Sequence, residues 1–235
     1  MAGWESAQGR LGSGAAWYAK NGWHVHPVNG IDAAGMCTCG RTHKDSKETA
    51  KHPASANGQK DATTDPVVVE SWWLENPDYN IGVYAKSSGF FVIDIDPRNG
   101  GDEAILKLEE RANGNLTPTV EAITGEYYTK TGLRRGRHLF YKCSPDEKFI
   151  GNFKAQGLDG IDVKHNGYIL VAPSRHTSGY CYEWKEGHAP WQMEMAEAPE
   201  ELLNIIRAKS LSKSGSGSGS FYSASDWEFL RDLNF

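Results

Sequence analysis

The sequence predicts an α+β (α/β) fold, and three observations carry that prediction. Short β-branched and aromatic runs, such as residues 90–95, 139–141 and 168–171, are bounded by Gly, Asn and Pro, which is the punctuation of strands and turns. Between them lie stretches whose apolar residues recur at helical spacing. The chain has 235 residues, enough for one substantial core without disulfide staples.

Taken in order, a helix is predicted over residues 11–21, where Ala15, Ala16, Trp17 and Tyr18 are apolar and Asn21-Gly22 ends it. A strand follows at 23–28. Residues 29–60 have no periodicity and are rich in Gly, Thr, Lys, Cys and His, too long a stretch for a structureless loop, so a metal ion is the expected organiser. Thr64 is the expected N-cap of the next helix, with Asp65 and Pro66 in its first turn and Val68, Val69, Trp72 and Trp73 on its apolar side. Asn76-Pro77 stops it. Residues 81–84 and 89–94 read as a strand pair around the turn at 86–89.

A helix at 102–111 presents Ile105, Leu106 and Leu108 as its buried side and stops near Asn113-Gly114. After Pro118, strands are expected at 120–124, 137–141, 160–164, 168–171 and 180–184, the first two joined by a hairpin containing Gly and Arg. A helix at 199–207 carries Leu202, Leu203, Ile205 and Ile206, and the main domain is assigned to residues 1–210. Residues 211–220 are almost entirely Ser and Gly, a flexible linker by composition. In 221–235, Ser225 and Glu228 form a capping box ahead of Phe229, Leu230 and Leu233, which predicts a short amphipathic tail helix for docking on the domain or on a partner.

Charge and targeting signals narrow the function classes. The net charge of −5, from 25 Lys+Arg against 30 Asp+Glu, excludes a general basic field, so any nucleic-acid site must be a local patch. No signal peptide, membrane span or Walker A loop is visible, which makes the cytoplasm the expected compartment and argues against a P-loop motor.

Four constellations carry chemistry. In Asp94-Ile95-Asp96 two carboxylates share one face of an apolar strand, roughly 7 Å apart, and two divalent cations at roughly 4 Å spacing would resolve their repulsion. The competing reading is a strand end whose acids face water. Asp162 is a third acid between β-branched neighbours, with Lys164 on the same face; a structural salt bridge is the alternative for Lys164. His138 stands at the head of an apolar strand behind Arg134, Arg135 and Arg137, a phosphate patch or an ordinary solvated hairpin. Finally, Cys37, Cys39, His43 and His52 offer the four N/S ligands that tetrahedral Zn²⁺ prefers, with Asp45 and Glu48 competing with His43; a disordered loop with free thiols and surface histidines is the alternative. His24 and His26 are expected to be satisfied structural histidines.

Together these residues resemble the primase-polymerase (prim-pol) domain of the archaeo-eukaryotic primase superfamily, of the phage and plasmid replication type. The resemblance covers roughly residues 17–184. It runs through Lys51-His52-Pro53, Lys60-Asp61-Ala62-Thr63-Thr64-Asp65-Pro66, Asn80-Ile81-Gly82-Val83, Asp94-Ile95-Asp96-Pro97-Arg98-Asn99-Gly100-Gly101, Gly136-Arg137-His138, Gly160-Ile161-Asp162-Val163-Lys164 and Val171-Ala172-Pro173-Ser174. It implies an RRM-like catalytic palm packed against an N-terminal α/β module with a zinc-binding loop at 36–53. It also implies that Asp94, Asp96 and Asp162 bind catalytic Mg²⁺ or Mn²⁺ and that His138 contacts the phosphates of the incoming nucleotide. Arg98, Arg137 and Lys164 are added here as further phosphate contacts.

The activity implied is nucleotidyl transfer by a DNA primase/polymerase on a single-stranded DNA template with NTPs or dNTPs, and a helicase on a longer parent chain is the expected partner. Two other classes compete. A non-catalytic replication module would bind single-stranded DNA or a helicase without metal-dependent product, and a two-metal nuclease would shorten a strand rather than lengthen it.

Overall fold

The computed structural model describes residues 5–44, 49–114 and 116–207; the assigned linker at 211–220 and tail helix at 221–235 lie outside them. Helix α1 (Glu5–Lys20) begins earlier than the sequence pattern indicates, and it is followed by β1 (Val25–Val28) and α2 (Pro66–Glu75). The cap of α2 is Asp65 rather than Thr64: its carboxylate accepts from the Val67 amide, and Pro66 fills the first helical position, where no N–H is needed. Helices α1 and α2 meet closely because residue 12 is glycine; a Cβ there would lie 3.1 Å from Cβ of Trp73.

Strands β2 (Asn80–Tyr84) and β3 (Phe90–Ile95) do not pair with each other as expected. A tight turn at 85–89 carries the chain from one sheet into another. β2 lies between β1 and β7 (Tyr168–Leu170) in a three-stranded antiparallel sheet. β3 lies in a five-stranded antiparallel sheet with β4 (Glu121–Thr129), β5 (Gly132–Lys142), β6 (Ile161–Lys164) and β8 (Glu183–Trp184), in the order β6-β3-β5-β4-β8. Almost all of β3 is buried, which explains its unbroken apolar run: each face needs its own apolar cover.

The alternation of β3 builds two cores. Phe90 and Val92, with Phe140 of β5, pack against Ile81 and Val83 of β2, Tyr18 of α1 and Trp73 of α2. On the opposite face, Phe91, Ile93 and Ile95 pack with Ile105 and Leu108 of α3 (Gly101–Arg111) and Leu202 and Ile206 of α4 (Glu200–Ile206). Leu106, expected in the core, is 65% exposed because it lies on the solvent side of α3. No described helix is long and apolar enough to cross a membrane.

Candidate active site

The face of β3 that carries Phe90 and Val92 continues to Asp94, and there it opens into a cleft. Antiparallel register places Asp94 opposite His138 on β5 and opposite Asp162 on β6, so the three side chains stand abreast on one face of the sheet. His138 Nε2 lies 3.4 Å from Asp94 Oδ1. Lys164 Nζ lies 2.8 Å from Asp162 Oδ2 and 3.8 Å from Asp94 Oδ2. Burial alone would raise the Asp94 carboxyl, but His138, Lys164 and Lys51 outweigh it and hold the group below the usual carboxylate range.

Asp96 lies just past the end of β3 and caps a 3₁₀ turn, Pro97–Asn99, by accepting from the Arg98 amide. Its carboxylate also takes Arg98 Nε at 3.0 Å, Arg98 Nη2 at 2.8 Å and Asn99 Nδ2 at 3.0 Å. The backbone here is clamped. The Asp96 amide donates to the Gly160 carbonyl and the Gly101 amide donates to the Asp96 carbonyl. Only glycine fits at 160, where φ is +83° and a Cβ would lie 2.5 Å from the Gly101 nitrogen. That crossing brings Asp94, Asp96 and Asp162 onto the wall of one cavity of about 410 Å³, beside Asn99, Asn152 and Lys154.

A cationic and aromatic wall faces the acids. The Arg98 guanidinium lies over the Tyr127 ring, 4.0 Å from its centroid, and the Tyr127 hydroxyl is 3.0 Å from His176 Nε2. Burial, together with Lys51, Arg98 and Arg135, pushes the His176 imidazole down to about 3, so it is neutral at physiological pH. Lys51 is lowered by burial and by Arg98, against the opposing pull of Asp94 and Asp96, which puts its ammonium within electrostatic reach of both acids.

A paired-acid strand, a strand histidine beside it and a third acid on the next strand thus meet on one face of the sheet. Comparison with known families favours nucleotidyl transfer over the two classes that compete with it. The sequence matches the N-terminal domain of bifunctional DNA primase/polymerases over residues 15–201. The chain belongs to this Prim-Pol family. No curated protein matches the sequence. The activity of the Prim-Pol domain is that of a DNA primase/polymerase, with a DNA template and nucleotides as substrates.

Not every expected residue of the Prim-Pol site reaches the cleft. Arg137 pairs in register with Ile95, on the face opposite Asp94, and its guanidinium contacts Glu121 at 3.2 Å. Arg134 faces Asp102, Arg135 faces Glu183 and Lys142 faces Glu194, each ion-paired where it stands.

In the Prim-Pol domain's loop, ligand atoms of Cys37, Cys39, His43 and His52 all lie within 4.8 Å of one another, and among the described residues this is the one group of metal-ligating type that meets so closely. Asp45 and Glu48 lie outside the described residues. His26 departs from expectation: it is fully buried, and neither ring nitrogen makes a hydrogen bond of ordinary geometry. Three residues of the wall escaped the sequence reading. Lys51 and His176 sit in or beside quoted motifs but are separated from Asp94 by tens of residues, and Tyr127 carries no local signal at all.

Proposed function

We propose that the chain performs template-directed nucleotidyl transfer, adding nucleotides to a primer end or starting a primer on single-stranded DNA, with Asp94, Asp96 and Asp162 holding two Mg²⁺ or Mn²⁺ ions. The observation that carries this reading is the register that seats His138, Asp94 and Asp162 abreast on one face of the sheet, with Asp94 and Asp162 on the wall of one cavity. Nucleotidyltransferases of this family use divalent metals. The donor set fits them: three carboxylates, each with a Lys or Arg ammonium or guanidinium beside it, offer the hard oxygen ligands these ions prefer. When bound, such ions neutralise the triphosphate and lower the pKa of the attacking hydroxyl.

The chain's own groups then orient the substrate. His138, whose Nε2 lies 3.4 Å from Asp94 Oδ1, is assigned to the phosphates of the incoming nucleotide. Arg98 and Lys164, released from Asp96 and Asp162, turn to phosphate oxygens, where the planar guanidinium offers two parallel donors. Lys51 adds positive charge from the far wall.

The palm reading draws support from the run β3-α3-β4-β5-β6, whose four strands lie in the order β6-β3-β5-β4, as in an RRM-like sheet. It departs from that pattern after β5, where a 3₁₀ turn, Lys154–Gln156, stands in place of a second helix. The Cys37, Cys39, His43 and His52 set is assigned to a structural Zn²⁺, since a tetrahedron with ligand bonds of about 2.0–2.3 Å has edges of about 3.3–3.8 Å.

The test is extension of a labelled primer on a single-stranded template with Mg²⁺ or Mn²⁺ and either dNTPs or NTPs. Metal-dependent elongation by the native chain, lost in Asp94→Ala, is the expected result. Template binding without product would replace this reading with a binding module, and strand shortening would replace it with a nuclease.

A further inference from the structure

Beyond the cavity of the three aspartates, a second cavity of about 450 Å³ opens at the outer edge of β6, where three separate turns converge. Lys86 comes from the turn after β2, Lys148 from the connection between β5 and β6, and Lys164 and His165 from the end of β6. The turns are tied by backbone: the Lys86 amide donates to the His165 carbonyl, and the Val163 amide donates to the Gly151 carbonyl. The single acid on the lining, Glu147, is already taken by Arg207 through two hydrogen bonds of 3.2 and 2.8 Å. Lys86 and Lys148 form no ion pair among the described residues.

Two further features fit a ligand. His165 is 5% exposed and lines the cavity, yet its Nε2 has no hydrogen-bond partner. Gly151 and Gly167 also line it, and a Cβ at either would meet nothing within 4 Å, so at both positions the backbone is open to an approaching group.

We propose that this cavity binds phosphates of the sugar-phosphate backbone of a DNA strand, leading its end toward the acids. The proposal rests on the primase/polymerase reading and deepens it by assigning the strand a path. Lys164 joins the two cavities, because it reaches Asp162 at 2.8 Å while lining the second cavity, about 7 Å along β6 from Asp162. The incoming nucleotide is assigned to the His138 side of Asp94. The cavity lies on the other side, beyond Asp162, which favours a polynucleotide over the triphosphate as the source of the phosphates.

The experiment uses the full chain and the double variant Lys86→Ala/Lys148→Ala, neither residue belonging to the catalytic set. Binding of a fluorescent single-stranded oligonucleotide is titrated from low to high salt, and the KM for dNTP is measured in primer extension. Removing two phosphate contacts is expected to weaken binding roughly tenfold and to flatten the slope of log K against log salt by about 1.4. The dNTP KM and the melting temperature should stay unchanged, and Lys86→Arg/Lys148→Arg should restore both affinity and slope. Unchanged affinity and slope in the alanine variant would overturn the proposal, as would a native chain that binds no DNA. A raised dNTP KM with unchanged DNA affinity would also overturn it, by giving the cavity to nucleotide phosphates. A native chain that binds DNA through these lysines but incorporates no nucleotide would uphold this site while removing the polymerase reading.

Discussion

Gly125 shows how tightly a single residue can bind the far wall of the cleft to its sheet. It sits at the irregularity of β4 between Ile123 and Glu126, and a Cβ there would lie 2.1 Å from His176 Nδ1. The imidazole has no easy retreat, because Tyr127 holds Nε2 at 3.0 Å and Ser178 holds Nδ1 at 2.9 Å. Gly125→Ala is therefore expected to cost about 1–3 kcal/mol in urea unfolding, as overpacking does elsewhere, and to lower primer extension by shifting Tyr127 and Arg98. His26 makes a second prediction at this scale. Burial lowers its imidazole to about 4, against 6.5 unperturbed, so between those values the unfolded chain binds the proton and the folded chain does not. Its contribution is complete above pH 6.5 and is lost as pH falls toward 4, at up to about 1.4 kcal/mol per pH unit. His176 adds a loss of the same sign. Chemical denaturation across pH 4–8 should show His26→Leu with a shallower slope, by about one proton, than the native chain.

At the scale of the element, the described parts of the loop between β1 and α2 are held by local devices more than by an apolar core. Asp32 accepts from the amides of Ala34 and Met36, Thr38 bonds Asn29, and Asn29 reaches the carbonyls of His52 and Pro53. These bonds bring the ends of the loop together, but two thiols and two imidazoles are left in mutual contact, with Cys39 Sγ 3.1 Å from His43 Nε2. A zinc ion at that point would supply folding free energy that the loop cannot draw from burial. The purified chain is expected to carry one equivalent of Zn²⁺, and Cys39→Ser to lose it. The same substitution, or chelation, should lower the melting temperature and open the loop amides to hydrogen exchange while β3 and β5 stay protected. A native chain without zinc, melting at the same temperature with and without chelator, would remove the metal from the account. The loop also holds Lys51 at the cleft, so metal loss is expected to reduce extension as well as stability.

For the molecule as a whole, what the sequence made legible was what short-range chemistry dictates. The Asp94, His138 and Asp162 motifs, the Cys and His set and most element positions follow from alternation, punctuation and ligand type, which neighbours along the chain determine. Sheet membership did not follow. Residues 81–84 and 89–94 look like a hairpin, yet they enter different sheets, because both faces of β3 are buried and its partners, β5 and β6, arrive much later in the chain. The face of Arg137 was legible and overlooked: it precedes His138 on one strand, so alternation alone turns it to the opposite side, beside Ile95.

That long-range closure also bears on the domain boundary. The second core is completed by Leu202 and Ile206, both fully buried, and by Arg207, which holds Glu147 in the connection between β5 and β6. We therefore propose residues 1–210 as the autonomous unit. A chain truncated after residue 210 should keep the melting temperature and primer extension of the full chain. One truncated after residue 198 loses α4, exposes the faces of Ile93, Leu108 and Ile161, and should be destabilised by roughly 3–6 kcal/mol from the two lost side chains alone. Losses of that size reach the total stability of many domains, so the shorter chain is expected to unfold or aggregate. If the chain ending at 210 melted earlier, part of the fold would reside in the tail; if the chain ending at 198 stayed folded and active, α4 would be an accessory rather than the closing element of the second core.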